Sequence, residues 1–323
     1  MNDERLVILD TDPGIDDAMA LLFLGGQPNI RLLAITSIFG NAEIDVTTRN
    51  ALYLSQRFGI DAPVYRGAAM PLSIARHPSP RHVHGDDGLG GIDAVGDFTG
   101  EAAPGEASER MIELIRANPG KVTILALAPL TNLALALVRE PEIAHQVKEV
   151  VIMGGAFGWA GKRGNVSPVA EANIFNDPHA ADFVFNAVWP VTAIGLDVTS
   201  QCVLTSKQAA ELADRGGEAG KFLWEISRGY EDVYRRSQGV DGCCLHDVAA
   251  AAWLTHPTLF RTQTGPIRVL TEGIAIGQTI QKPDDQVFGA SAWDGLPSQS
   301  VCVAVDHARL IHTYTQALIT AAK

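Results

Sequence analysis

The sequence predicts an α/β protein, a mostly parallel open sheet with helices on both faces, folded as a single domain over residues 1–323. Three observations predict it. Short apolar runs alternate along the chain with stretches of helical period, the pattern of a sheet covered by crossover helices. No internal repeat and no linker of biased composition divides the chain. A cluster of aspartates follows directly on the first apolar run, where open α/β sheets bind ligands, outside the carboxyl ends of their strands.

Each element is justified in turn. Residues 6–9 (LVIL) read as a buried strand, and 18–24 as the helix after it. Residues 30–38 (IRLLAITSI) give a second strand and 46–58 a second helix. A helix over 106–117 precedes a strand over 122–127 (VTILAL), and Thr131-Asn132 stands before a helix over 133–138. The strand 149–153 ends in Gly154-Gly155. Asp177-Pro178 marks a helix start, because the first helical N–H has no partner and proline lacks that N–H. A strand over 191–196, a helix over 247–254, a strand over 300–305 and a terminal helix over 307–321 complete the order. Segments near 66–104, 154–176 and 228–246 lack periodicity. Long irregular segments in a compact domain commonly carry function. These hold Gly, His, Asn, Asp and Tyr and are read as binding loops and lids. Within the last, Tyr230 and Tyr234 keep the spacing of one helix face.

Composition narrows the partners. The chain has 25 Lys+Arg and 37 Asp+Glu, a formal charge of −12, with 46% hydrophobic and 19% charged residues. This is a soluble globular composition. The acidic balance argues against a broad basic face for nucleic acid and against a polybasic membrane surface. The start, Met1-Asn2-Asp3-Glu4-Arg5, is acidic where a secretory signal is basic and then apolar, and the most apolar stretch, 122–138, is broken by Pro129, Thr131 and Asn132. Cys202, Cys243, Cys244 and Cys302 include an adjacent pair and no C-x-x-C, so they are read as reduced thiols of a cytoplasmic protein.

The most informative residues are Asp10-Thr11-Asp12-Pro13-Gly14-Ile15-Asp16-Asp17. Carboxylates gathered so closely repel one another unless compensated, and a divalent cation is the simplest compensation. An all-oxygen set suits a hard ion such as Ca²⁺ or Mg²⁺. Helix capping explains Asp16 or Asp17 alone, but not Asp10 and Asp12 before the turn. Polar residues stand at other predicted strand ends: Gly40-Asn41, the turn after Leu127, and Met153-Gly154-Gly155. His246-Asp247 opens a later helix, and His82-x-His84 with Asp86 has a spacing that a zinc ion also accepts.

These residues form an ordered set. DTDPGIDD (10–17), TSIFGN (36–41), HVHGDDG (82–88), LAPLTN (127–132), VVIMGGA (150–156), GNVSPVAEANIFNDP (164–178) and LHD (245–247) resemble, in order and spacing, the inosine–uridine-type nucleoside hydrolases across essentially the whole chain. The resemblance implies a Rossmann-like nucleoside hydrolase fold and cleavage of a ribonucleoside N-glycosidic bond to ribose and free base. It implies one Ca²⁺ per chain, held by Asp12, Asp17, Asp247 and the backbone carbonyl of Leu127, with Asp12 activating a metal-bound water. It places Asp16, Asn41, Asn165, Glu171 and Asn173 on the ribose, with Met153 also on the substrate side. It makes His246 the acid for the leaving base, an intrinsic imidazole pKa being suited to that task. It puts His84 beside the base and Tyr234 on a lid that stacks over it. It also implies a homotetramer or homodimer. Ala172 departs from the pattern, since an aromatic residue often stands there in the family. A haloacid-dehalogenase-type phosphatase also sets Asp-x-Asp after its first strand, but Gly14-Ile15-Asp16-Asp17 does not continue that motif.

Overall fold

The computed structural model describes residues 4–322; Met1, Asn2 and Asp3, which the reading of the N-terminus included, lie outside them. In chain order the strands are β1 (Arg5–Thr11), β2 (Ile30–Ser37), β3 (Val64–Arg66), β4 (Val122–Ala126), β5 (Glu149–Met153), β6 (Val191–Ile194), β7 (Val203–Leu204), β8 (Cys243–Cys244), β9 (Phe260–Gly265), β10 (Ile267–Val269), β11 (Thr279–Gln281) and β12 (Gln299–Val305). The helices are α1 (Ile15–Gly25), α2 (Ile44–Arg57), α3 (Arg81–His84), α4 (Ala107–Ala117), α5 (Thr131–Arg139), α6 (Ala172–Asn176), α7 (Pro178–Phe185), α8 (Leu196–Thr199), α9 (Ser206–Arg215), α10 (Gly217–Gln238), α11 (His246–Thr255) and α12 (His307–Ala321).

Eight strands make one sheet in the order β3-β2-β1-β4-β5-β6-β12-β9. Every pairing in it is parallel except β12 with β9. The central strands are continuous apolar runs because both faces are covered. Their period of two divides the core. Val7, Leu9, Leu125 and Val151 pack to one side with α1, α10, α11 and α12, while Ile8, Ile124, Val150 and Ile152 pack to the other with α4, α5 and α7. Among the described residues no helix is long and apolar enough to cross a membrane.

From β1 the chain winds outward through β2 to β3; from β4 it winds the opposite way through β5 to β6. The reversal lies between β1 and β4, the kind of topological switch point at which α/β sheets leave a crevice beyond the strand ends. Asp10 and Leu127 face each other there, and the Leu127 amide donates to the Asp10 carbonyl at 2.8 Å.

One expectation is corrected. Residues 228–238 are not irregular: they complete the 22-residue helix α10. Phe222, Ile226, Tyr230 and Tyr234 lie buried at intervals of four and form its core face, and Gly239 (φ +67°) ends it in the left-handed conformation that glycine tolerates. The sequence reading also left out β9, which runs antiparallel along the outer edge of β12. The other two long segments are largely irregular, holding only α3 and, near the site, α6 with one short 3₁₀ turn.

Candidate active site

Four aspartates converge on the crevice because β1 ends at Thr11 and α1 begins four residues later, so the whole turn sits over the strand ends. Asp17 caps its own helix. The Thr11 hydroxyl and the Asp12 amide (3.3 Å) donate to its Oδ1, and the Gly14 amide (3.0 Å) and Asn41 side chain (2.9 Å) donate to its Oδ2. Asp12 Oδ2 accepts from the Asn41 amide at 2.6 Å. Asp10 Oδ1 accepts from Thr36 (2.6 Å) and from the Asn132 side chain (2.8 Å).

The remaining oxygens are unsatisfied. Asp10 Oδ2, Asp12 Oδ1 and Asp16 Oδ1 are buried without a hydrogen-bond partner. Carboxylate oxygens of Asp16, Asp17 and Asp247 lie within 4.8 Å of one another; among the described residues no other three His, Cys, Asp or Glu side chains converge in this way, so His82, His84 and Asp86 form no such group. Burial, then the charges of Asp17 and Asp16, pushes the Asp12 carboxyl well above the usual range. Burial and the charges of Asp16, Asp17 and Asp12 do the same to Asp247, and burial followed by the Asp17 charge raises Asp16 to about 8. Protein alone therefore leaves this cluster short of positive charge, and its all-oxygen donors fit a hard divalent cation.

A cavity of about 320 Å³ opens over the cluster. Asp16, Asn41, Glu171, Asn173, Asp247 and the chain at Leu127 and Met153 line its deep end. The Asn173 side chain donates to the carbonyls of Leu127 (3.0 Å) and Met153 (3.1 Å), tying the ends of β4 and β5. Glu171 caps α6: its oxygens accept from the amides of Asn173 (2.8 Å), Ile174 (3.1 Å) and Gly155 (3.0 Å). Asn165 reaches the rim, where its side-chain oxygen accepts from the Ala172 amide at 3.0 Å.

The outer end is aromatic. His84 is buried, and its Nδ1 accepts from the Ile15 amide at 3.3 Å. Its ring lies 5.6 Å from that of Tyr230. His246 has both ring nitrogens engaged, Nδ1 with Thr199 Oγ1 at 2.7 Å and Nε2 with the Tyr234 hydroxyl at 2.6 Å. Burial lowers His246 to about 4 and His84 to about 3. His246 lines the cavity itself, beside Tyr234, whose hydroxyl also lies 3.3 Å from that of Tyr230. Tyr234 is 7% exposed and lines the cavity wall from α10.

The sequence reading missed several supports. Asn132 joins Asp10, the Ser37 carbonyl (3.1 Å) and the Ala68 amide (2.9 Å). Asp177 joins Thr131 (2.7 Å), the Leu72 amide (2.8 Å) and the first turn of α7. Together they pin the start of the segment that carries His84. Thr199, on α8 just beyond β6, orients His246. Asn132 and Thr199 lie in the first helix after a parallel strand, and Asp177 caps α7 just before Pro178, which is the signal each offered.

The model of the inosine-uridine preferring nucleoside hydrolase family matches residues 7–312. The chain is 39% identical over 302 residues to a probable uridine nucleosidase 1 of Oryza sativa, covering 93% of this chain and 92% of that one. It is 37% identical over 279 residues to the inosine-uridine preferring nucleoside hydrolase of Leishmania major, covering 85% and 87%. Among solved structures, a plant nucleoside hydrolase superposes with a TM-score of 0.93 at 35% identity over 98% of this chain and 99% of that one. A purine-preferring ribonucleoside hydrolase from Gardnerella vaginalis gives 0.90 at 32% over 99% of each. With this coverage from β1 into α12, the chain belongs to the inosine–uridine preferring nucleoside hydrolase family.

Proposed function

We propose that this chain hydrolyses the N-glycosidic bond of ribonucleosides with one calcium ion held by Asp12, Asp17, Asp247 and the Leu127 carbonyl. The supporting observation is the convergence of the buried Asp16, Asp17 and Asp247 carboxylates, with Asp12 Oδ1 and Asp16 Oδ1 lacking any protein partner, at the switch point of the sheet. An ion bound there supplies Lewis acidity that makes water nucleophilic near neutral pH.

Asp12 takes the proton of the attacking water. Its Oδ2 is fixed by the Asn41 amide, which leaves Oδ1 for that task. Asp16, Asn41, Asn165, Glu171 and Asn173 orient the ribose from the cavity wall, beside Met153. Their carboxylate and amide groups match hydroxyl donors and acceptors, and the negative charge around them stabilises the ribosyl group as it becomes cationic. At the outer end, His84, Tyr230 and Tyr234 flank the base. The Tyr234 hydroxyl, held by neutral His246, donates to the departing base, so His246 acts through Tyr234. We further place the reaction in the cytoplasm, supported by four free, buried cysteines. The family resemblance carries the further proposal of a homodimer or homotetramer.

Turnover of uridine and inosine is measured before and after chelation, with calcium or zinc added back, alongside Asp12→Asn. Chelation abolishes turnover and calcium restores it; Asp12→Asn loses at least about a hundredfold in kcat. Full activity in chelator rejects the ion, and full activity of Asp12→Asn rejects Asp12 as the base.

A further inference from the structure

We infer that Ser206 and Glu231 form a junction that sets Tyr234 against His246, which makes both of them positioning residues for departure of the base. The inference rests on the role given above to Tyr234 and His246. Tyr234 lies on α10 and His246 opens α11, and their 2.6 Å contact spans the chain that turns back between the two helices. Something must hold that return in place.

Three segments meet at Ser206. Its hydroxyl lies 2.7 Å from Glu231 Oε2 on α10 and 2.9 Å from Asp241 Oδ1 on the returning chain. Ser206 itself starts α9, where Thr205 and Gln208 form a reciprocal cap that fixes its backbone. Just before it, β7 pairs antiparallel with β8, Val203 opposite Cys244 and Leu204 opposite Cys243. The Leu245 amide then donates to the Cys202 carbonyl at 2.8 Å, next to His246. The frame that positions His246 is therefore continuous with the serine that grips α10.

Glu231 is only 1% exposed, yet it does not line the cavity. Arg228 pairs with both its oxygens, with Nη1 at 2.9 Å from Oε2, and the Arg228 guanidinium lies 4.5 Å from the Trp224 ring centroid. A buried carboxylate tolerates little displacement, because losing a partner leaves an uncompensated charge. It stands between Tyr230 and Tyr234 in sequence but binds away from the cavity, so its anchorage fixes both the rotation and the height of the helix that carries them.

The test compares Ser206→Ala and Glu231→Gln with wild type on uridine, inosine and p-nitrophenyl β-D-ribofuranoside, whose phenolate leaves without a proton. Both variants lose roughly tenfold in kcat on the nucleosides and stay within about twofold on the nitrophenyl riboside. Ser206→Thr, which keeps the hydroxyl, restores nucleoside turnover. An equal loss on all three substrates, or wild-type nucleoside kcat in folded Ser206→Ala, overturns the junction; if Glu231→Gln does not fold, Ser206→Ala decides. Tyr234→Phe is measured in parallel. If it shows no dependence on the leaving group, the role of Tyr234 itself fails. If it shows that dependence while Ser206→Ala does not, only the junction fails.

Discussion

Gly40 is the residue on which Asp12 depends most directly. A Cβ there would fall 1.9 Å from Asp12 Oδ2, in a backbone at φ +156° that side chains rarely adopt. Gly14 is equally confined: a Cβ would lie 2.6 Å from His84 Nδ1 and 2.7 Å from Asn41 Nδ2. The two glycines let the acid turn, the end of β2 and the histidine segment close on one another. Gly40→Ala should therefore displace the Asp12 carboxylate and reduce kcat on uridine by at least about tenfold. Steady-state kinetics on protein of wild-type circular dichroism checks this, and an unchanged kcat would mean that Asp12 has more freedom than the packing allows. The carboxylates themselves were legible, because their crowding after an apolar run has few explanations. Gly40, Asp10 and Thr199 were not assigned roles, since their work lies in contacts made across the fold. His246 was legible as a position at the start of a helix, but the burial that lowers its pKa was not, because burial is set by the fold.

At the scale of elements, the alternation of strands and helices was readable wherever a buried parallel strand wrote a continuous apolar run. The reading failed where charge masked a helical face. In α10 the apolar positions at 222, 226, 230 and 234 are set among Glu, Asp and Arg, and the charged majority obscured the repeat. β9 (FRTQTG) was missed because an edge strand half open to water carries no apolar run. The irregular segment before α4 is held at its start by Asn132 of α5, which grips Ala68, and by Asp177 before α7, which grips Leu72; further along, Asn50 of α2 holds Asp87. Asn132→Ala frees that anchor and leaves Asp10 Oδ1 short of a donor. Stability should fall by about 1–3 kcal/mol, the usual consequence of stranding buried polar groups. The KM for uridine should rise as the segment bearing His84 loosens. Denaturant titration and limited proteolysis within 67–106 report the two effects, and resistance equal to wild type would show that other contacts hold the segment.

For the whole molecule, the formal charge of −12 conceals a buried share with its own pH dependence. Without a cation, burial holds Asp10 at about 7 and Asp16 at about 8, against 3.8 unfolded. Across pH 6.5 to 8 the folded chain thus keeps protons that the unfolded chain has lost, so its stability falls as pH rises through the folded pKa values. His84 and His246, lowered to about 3 and 4 from 6.5, act with the opposite sign, but only below 6.5. Thermal melts in chelator at pH 6.5, 7.2 and 8 should show Tm declining across this window. Calcium should raise Tm at each pH and flatten the decline, because an ion that binds only the folded state stabilises it and holds the carboxylates ionised. A flat profile in chelator would mean that the cluster is not protonated when metal-free. The reversal of strand order between β1 and β4 has a consequence for synthesis. Asp12 and Asp17 are made early, Leu127 midway and Asp247 only with α11, so the proposed donor set is complete only after most of the chain has been translated. A nascent chain that stops short of α11 carries the acidic turn without its last carboxylate. On the proposed donor set, an ion therefore meets its full coordination only once α11 has been made.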